Sequence, residues 1–253
     1  DNEAKLTVKH TYKNESVTAK MSIQTQDNET MKAVPQRDAT LEKAVYGLYA
    51  REDIVHPDGA TGVIYEAGEQ VATLTTDKNG QASVDGLYLG NYYVKEITPP
   101  TGYLADEEEH DLVCNYEGDF VAEVKRDCLS LEQVMKQPFE IIKAANNGKT
   151  DADLLKGAGF TAYLVSSLTV KEDGSYDFGS AKPVVIGENG ATEIFTDEKG
   201  YARSIALPYG TYIVRETATP HNYTPVNDFI VQITENHPTT QQDWRVLLDK
   251  EFE

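Results

Sequence analysis

The chain is 253 residues long and carries 42 acidic against 23 basic side chains, a formal charge of −19. That balance repels nucleic-acid phosphate and anionic lipid, which argues against nucleic-acid or membrane-surface partners. A hydrophobic content of 40% and a charged content of 26% belong to a folded protein, and the length admits one large domain or two of roughly 125 residues.

No stretch approaches the roughly 18 apolar residues of a membrane helix; the best, residues 160–170, is too short and too polar. Membrane insertion by this piece is therefore not expected. The chain opens on Asp1 without a signal peptide, which reads as a piece of a longer protein. Two cysteines are too few for a disulfide framework. Fifteen Tyr, with frequent Thr, Val and Gly, favour strands over helices.

In chain order, residues 1–20 read as a hairpin turning at Lys13, Asn14 and Glu15. It resembles residues 112–124 and is taken as the tail of a preceding domain. A first domain, 21–136, opens with Met21, Ile23 and Thr25 on one strand face. Its Asp77-Lys-Asn-Gly80 is a turn, and Tyr92, Val94 and Glu96 share a face of the strand that Pro99 and Pro100 end. Residues 112–124 form a predicted hairpin that places Cys114 opposite Glu123 rather than Cys128, so free thiols are favoured over a disulfide. A second domain, 137–253, follows with almost no linker at Lys136-Gln137-Pro138. Phe139, Ile141 and Lys143 alternate along its first strand. Residues 150–156 read as a short helix, with Asp151 and Asp153 near its start. The turn Asp197–Gly200, the strand bearing Tyr212, Val214 and Glu216, and a last strand running from Trp244 to Asp249 complete it.

The two halves are copies. Residues 76–103 and 196–223 match at a constant offset of 120 (196 − 76), with eleven identities in 28 positions. They include Asp77/Asp197, Gly80/Gly200, Gly90/Gly210, Tyr92/Tyr212, Val94/Val214, Glu96/Glu216 and Pro100/Pro220. A repeat of this kind decides the fold before any local reading does. The expectation is an all-β chain of two tandem β-sandwiches, with short helices only in connections.

One constellation can carry chemistry. Lys143 and Glu216 lie at inward phases, and Asp249 ends the last apolar strand, 106 residues (249 − 143) from the lysine. First and last strands of a sandwich commonly lie side by side. Burial disfavours the charged forms of all three unless they neutralise one another. An uncharged amine is a nucleophile, and a protonated Glu216 can polarise the aspartate carbonyl. The product is a Lys143–Asp249 amide, with loss of water.

The run G-x-Y-x-V-x-E-x-x-x-P, from Gly90 to Pro100 and from Gly210 to Pro220, resembles the Cna-B and SpaA-type domains of Gram-positive pilins and adhesins. The resemblance covers about residues 21–253. It implies prealbumin-like sandwiches and an isopeptide bond from a first-strand lysine to a last-strand Asn or Asp, assisted by the glutamate of this run. Here those residues are Lys143, Asp249 and Glu216. The first domain departs from the pattern: Thr25 stands at the lysine's phase, Glu132 matches Asp249 at an offset of 117, and Glu96 is retained without evident partners. Lys20 and Lys32 are off phase, so no bond is expected there.

The resemblance further implies a stalk at the cell surface or wall, adjoining other domains of the same protein. It implies a monomer without cofactor or external substrate, any chemistry being a single self-cross-linking turnover. The rival reading is a module that grips a host matrix protein or a glycan through residues 51–68 and 171–190, whose aromatics are Tyr65, Tyr176 and Phe178. Asp106-Glu-Glu-Glu109 lacks a calcium-loop spacing, and the five His show no paired spacing for a metal.

Overall fold

The computed structural model describes residues 11, 14–146, 153–235 and 244–247. In the first repeat the strands are β1 (Thr18–Asp27), β2 (Val45–Ala50), β3 (Ile54–Val55), β4 (Val63–Tyr65) and β5 (Gln70–Thr75). They continue with β6 (Gln81–Leu87), β7 (Gly90–Thr98), β8 (Glu109–Cys114) and β9 (Glu123–Glu132). The second repeat has β10 (Lys136–Gln137), β11 (Phe139–Ile142), β12 (Gly159–Leu164), β13 (Thr169–Val170), β14 (Tyr176–Asp177) and β15 (Glu193–Phe195). After them come β16 (Tyr201–Arg203), β17 (Leu207–Pro208), β18 (Gly210–Ala218), β19 (Phe229–Ile233) and β20 (Trp244–Leu247).

Each repeat is a sandwich of a three-stranded and a four-stranded sheet, ordered β6-β1-β9 with β5-β2-β7-β8, then β16-β11-β20 with β15-β12-β18-β19. The opening strand lies at the centre of the smaller sheet. It pairs antiparallel with one neighbour and parallel with the last strand, Met21 opposite Arg126 and Phe139 opposite Trp244. First and last strands therefore do lie side by side. Strict alternation along β1 buries Ala19, Met21, Ile23, Thr25 and Asp27, as a half-buried strand requires. With Tyr46, Leu48, Tyr92 and Val94 from the facing sheet they fill the first core. Phe139, Ile141, Phe160, Ala162, Tyr212 and Val214 fill the second.

Two sequence expectations change. Residues 112–124 are not a hairpin: β8 pairs with β7 at the edge of the larger sheet, whereas β9 crosses to the other sheet beside β1. Cys114 and Cys128 are buried free thiols within the core. Of the expected helix, 150–152 lie outside the described residues; in the rest, Leu154 bridges Ala144 as an extended segment. Helical structure among the described residues is limited to two single turns, Val165–Ser167 and Glu188–Gly190. Finally, β1 already begins at Thr18; most of the hairpin expected in residues 1–20 lies outside the described residues.

The repeats meet through a small apolar cluster in which Ala39, Leu41, Tyr103 and Val134 pack with Tyr209. The amide of Tyr209 donates to Met135 O at 2.8 Å, and that of Asp38 to Tyr209 O at 3.3 Å.

Candidate functional site

Lys143 follows β11 at the inward phase begun by Phe139 and Ile141, and it is 4% exposed. The turn Asp197–Gly200 fixes its backbone. Lys143 N donates to Gly200 O at 2.7 Å, and Gly200 N closes the turn on Asp197 O. Gly200 sits at φ +65°, where a Cβ would come within 2.4 Å of Lys143 O. Only glycine fits both the left-handed backbone and that approach. The first repeat has the same device. Thr25 N donates to Gly80 O at 2.8 Å, and a Cβ on Gly80 (φ +72°) would meet Thr25 Oγ1 at 2.1 Å. The repeated Asp-x-x-Gly thus abuts Thr25 in one repeat and Lys143 in the other.

Glu216 on β18 stands opposite Phe160. Its Oε2 accepts from Lys143 Nζ at 3.0 Å and from Val226 N at 2.8 Å, and its side chain is wholly buried. Its Oε1 is buried without a hydrogen-bond partner among the described residues. A buried pair of this kind loses much of its Coulomb gain to desolvation, and the orphaned oxygen adds to the cost. The arrangement holds an amine and an acid in contact, with one acid oxygen free for a further polar group.

Of the predicted residues, the structure thus brings Lys143 and Glu216 together. Asp249 lies outside the described residues, two positions past the end of β20. The parallel ladders β1–β9 and β11–β20 superpose at an offset of 118 (244 − 126 = 139 − 21). The offset of 117 that matched Glu132 with Asp249 is therefore one short over the described part of β20.

In the first repeat Thr25 is wholly buried, and its hydroxyl donates to Gly80 O at 3.1 Å. Lys20 lies at the outward phase of β1, and Lys32 is exposed. Glu96 is not without partners. Its Oε2 accepts from Asp106 N at 2.6 Å, and Glu132 lies within hydrogen-bonding reach. Glu132 Oε1 accepts from Tyr46 Oη and Ser130 Oγ, both at 2.7 Å. Sequence reading missed Tyr46 and Ser130; the signal was two hydroxyls at inward phases near a buried acid. The acidic turn is likewise tied in, since Asp106 Oδ2 lies 3.1 Å from His110 Nε2.

The aromatic side chains of the loops considered for ligand capture make contacts within the chain. Tyr65 packs on the first core. In the second repeat Phe178 meets Tyr163 and Tyr176 edge-on, and the Arg215 guanidinium covers its ring at 3.9 Å. Among the described residues no group of three acidic, His or Cys side chains could hold a metal ion, and no helix is long and apolar enough to cross a membrane.

Fold and site together define a tandem of prealbumin-like β-sandwiches, each with a buried acid facing the end of its opening strand. The chain belongs to the SpaA prealbumin-like fold domain family, whose model matches residues 4–127 and 138–246. The Bacillus anthracis TIE protein is similar in fold, with a TM-score of 0.54 and 20% identity over 91% of this chain and 33% of that one. The chain spans about a third of that structure. A streptococcal ancillary pilin (23% identity, 93% and 63% covered, TM-score 0.34) and the shaft pilin SpaA of Lactobacillus rhamnosus GG (16%, 92% and 97%, 0.32) resemble it more loosely. No curated protein sequence matches the chain.

Proposed function

We propose that the chain is a pair of stalk modules of a Gram-positive cell-surface protein, and that its second repeat cross-links itself. The observation that carries this is the buried contact of Lys143 with Glu216, 3.0 Å long, beside the strand that leads to Asp249. Lys143 passes a proton to Glu216 and becomes a nucleophilic amine. Nζ attacks Cγ of the Asp249 carboxyl, Glu216 hydrogen-bonds the oxygen that gains charge, and the C–O bond breaks. An amide forms, and the departing oxygen takes up the released protons as water. The chain acts once and upon itself, so no external substrate is turned over.

Closing a loop of about 106 residues contributes roughly 4–5 kcal/mol on the chain-entropy treatment used for disulfides. The mechanical consequence is larger. The bond ties together the strands at the two ends of the repeat, so tension along the chain loads a covalent link instead of a hydrogen-bonded ladder. Reductants leave such a link intact, which suits an extracellular rod with only two cysteines.

Intact mass spectrometry tests the reading. The wild-type chain is expected one water lighter than its sequence, and Lys143→Ala and Glu216→Ala are each expected at full mass. A wild-type chain at full mass would overturn the cross-link, and peptide mapping of the linked fragment would show whether Asp249 is the acceptor.

A further inference from the structure

The first repeat has no lysine at this place, yet its inward face is not a simple deletion of the site. Phe160, opposite Glu216 in the second repeat, is replaced by Tyr46, opposite Glu96. Thr25 takes the position of Lys143. Ser130 and Glu132 complete a polar set in an otherwise apolar core. Glu96 on β7 is 7% exposed, Glu132 on β9 is wholly buried, and the two carboxyls lie within hydrogen-bonding reach of each other.

Counting lone pairs shows what this requires. Glu96 Oε2 is used by Asp106 N, and Glu132 Oε1 by Tyr46 Oη and Ser130 Oγ. The remaining oxygens, Glu96 Oε1 and Glu132 Oε2, are buried and find no donor. Two ionised carboxylates are acceptors only and cannot bond to each other. One proton between them satisfies both oxygens and halves the buried charge.

We propose that Glu96 and Glu132 share a single proton, an acid pair standing where the second repeat holds its lysine and glutamate, and that holding this proton makes the first repeat progressively less stable as the pH rises from acid to neutral. Among the described residues the groups around the pair include no Lys or Arg, and the His110 imidazole meets Asp106 rather than either glutamate. The groups facing the pair are Thr25 and Asp27 from β1, Tyr46 from β2, Tyr103 and Asp106 from the segment after β7, and Cys128 and Ser130 from β9. Asp27 is itself held by Tyr103 Oη and Gln36.

Burial, followed by the charges of Glu132 and Asp106, pushes Glu96 up to about 8, and burial raises Glu132 as well. The folded first repeat therefore keeps a proton that the unfolded chain releases above about 4.5. More protons are bound in the folded state, so stability falls as pH rises from about 4.5 to about 8 and then levels off. This is the reverse of the behaviour of a salt-bridged carboxylate.

The full chain offers a local probe, because its two cysteines both lie in the first core. Labelling by a pyridyl disulfide reports opening of that repeat. Glu96→Gln is the isostere of protonated Glu96: its carbonyl can accept from Asp106 N while its amide donates to Glu132. Comparing the two chains at each pH cancels the ionisation of the thiols. The wild-type rate relative to E96Q is expected to rise about tenfold per pH unit between pH 5 and 8. Parallel profiles would overturn the proposal. Carbon-13 carboxyl NMR of the wild type decides the matter should E96Q fail to fold. A glutamate titrating near pH 8 supports the shared proton, and a spectrum in which every carboxyl titrates below about pH 6 overturns it.

Discussion

Glu96 and Glu216 perform one structural task in two settings. Each uses Oε2 to hold the backbone amide ten residues further on, Asp106 N at 2.6 Å and Val226 N at 2.8 Å, and so ties the segment after its strand back onto the core. What meets the other side of the acid differs: a lysine in one repeat, a second carboxyl in the other. The glutamate of the repeated motif therefore has the same structural task in both repeats.

Lys143→Ala removes the amine needed for the proposed amide and leaves the wholly buried Glu216 side chain without its partner. Breaking such a pair from one side costs about 3–5 kcal/mol, because the remaining charge is left uncompensated. Lys143→Ala with Glu216→Gln relieves that penalty while still preventing the amide. The single variant is thus expected to lower the unfolding midpoint of the second repeat further than the double variant does, read by denaturant titration with residue-resolved hydrogen exchange. Equal midpoints would mean that Glu216 carries no charge in the variant.

Tyr46→Phe makes the first repeat resemble the second, where Phe160 occupies the equivalent place. In the second repeat that residue faces an acid already served by Lys143 and Val226 N. In the first, the phenol donates at 2.7 Å to Glu132, and its own ionisation is suppressed first by burial and then by the Glu132 charge. Losing a hydrogen bond to a charged acceptor costs about 1.5–3 kcal/mol. The loss is expected in the first repeat alone, seen as faster cysteine labelling, with hydrogen exchange in the second repeat unchanged.

Much of this architecture is legible in the sequence, for definite reasons. A strand with period two must show its inward residues at alternate positions, so Tyr92, Val94 and Glu96, with their copies at Tyr212, Val214 and Glu216, declare both the face and the buried acid. The Asp-x-x-Gly turns are legible because only glycine fits against Thr25 and Lys143. The course of residues 112–132 is not. A polar stretch between two strands looks the same whether the chain returns alongside itself or crosses to the opposite sheet, and only the long-range pairing of β9 with β1 decides. The Glu96–Glu132 contact was hidden for the same reason: it joins strands of different sheets, and each acid taken alone reads as a site missing its amine.

Gly80→Ala and Gly200→Ala are expected to destabilise their own repeats by at least about 1 kcal/mol, since each combines positive φ with a blocked Cβ position. The second carries an added consequence. Its Cβ would displace the Lys143 backbone and so move Nζ relative to Glu216. Gly200→Ala is therefore expected to leave a measurable fraction of the chain without the water loss, whereas Gly80→Ala leaves the water loss complete. Intact mass spectrometry of the two variants side by side checks both outcomes.

Asp38 is the residue on which the coupling of the two repeats turns. Its Oδ2 accepts from Thr211 N at 3.0 Å, its Oδ1 accepts from Ser166 Oγ, and its own amide donates to Tyr209 O. One carboxylate of the first repeat thereby holds two segments of the second. The Tyr209 ring lies over Gly102, where φ is +86° and a Cβ would come within 2.7 Å of the ring. Asp38→Ala removes the polar clamp and Gly102→Ala the apolar one, and neither touches either core. Each repeat is expected to keep its unfolding midpoint within about 0.5 kcal/mol for Asp38→Ala, as for a substitution outside a core, while the joint between the repeats loosens. Residual dipolar couplings read this directly: one alignment tensor should fit both repeats of the wild type, and two should be needed for either variant. A single tensor throughout would show that the short connection at Gln137 and Pro138 suffices, and that Asp38 adds nothing to the stiffness of the joint.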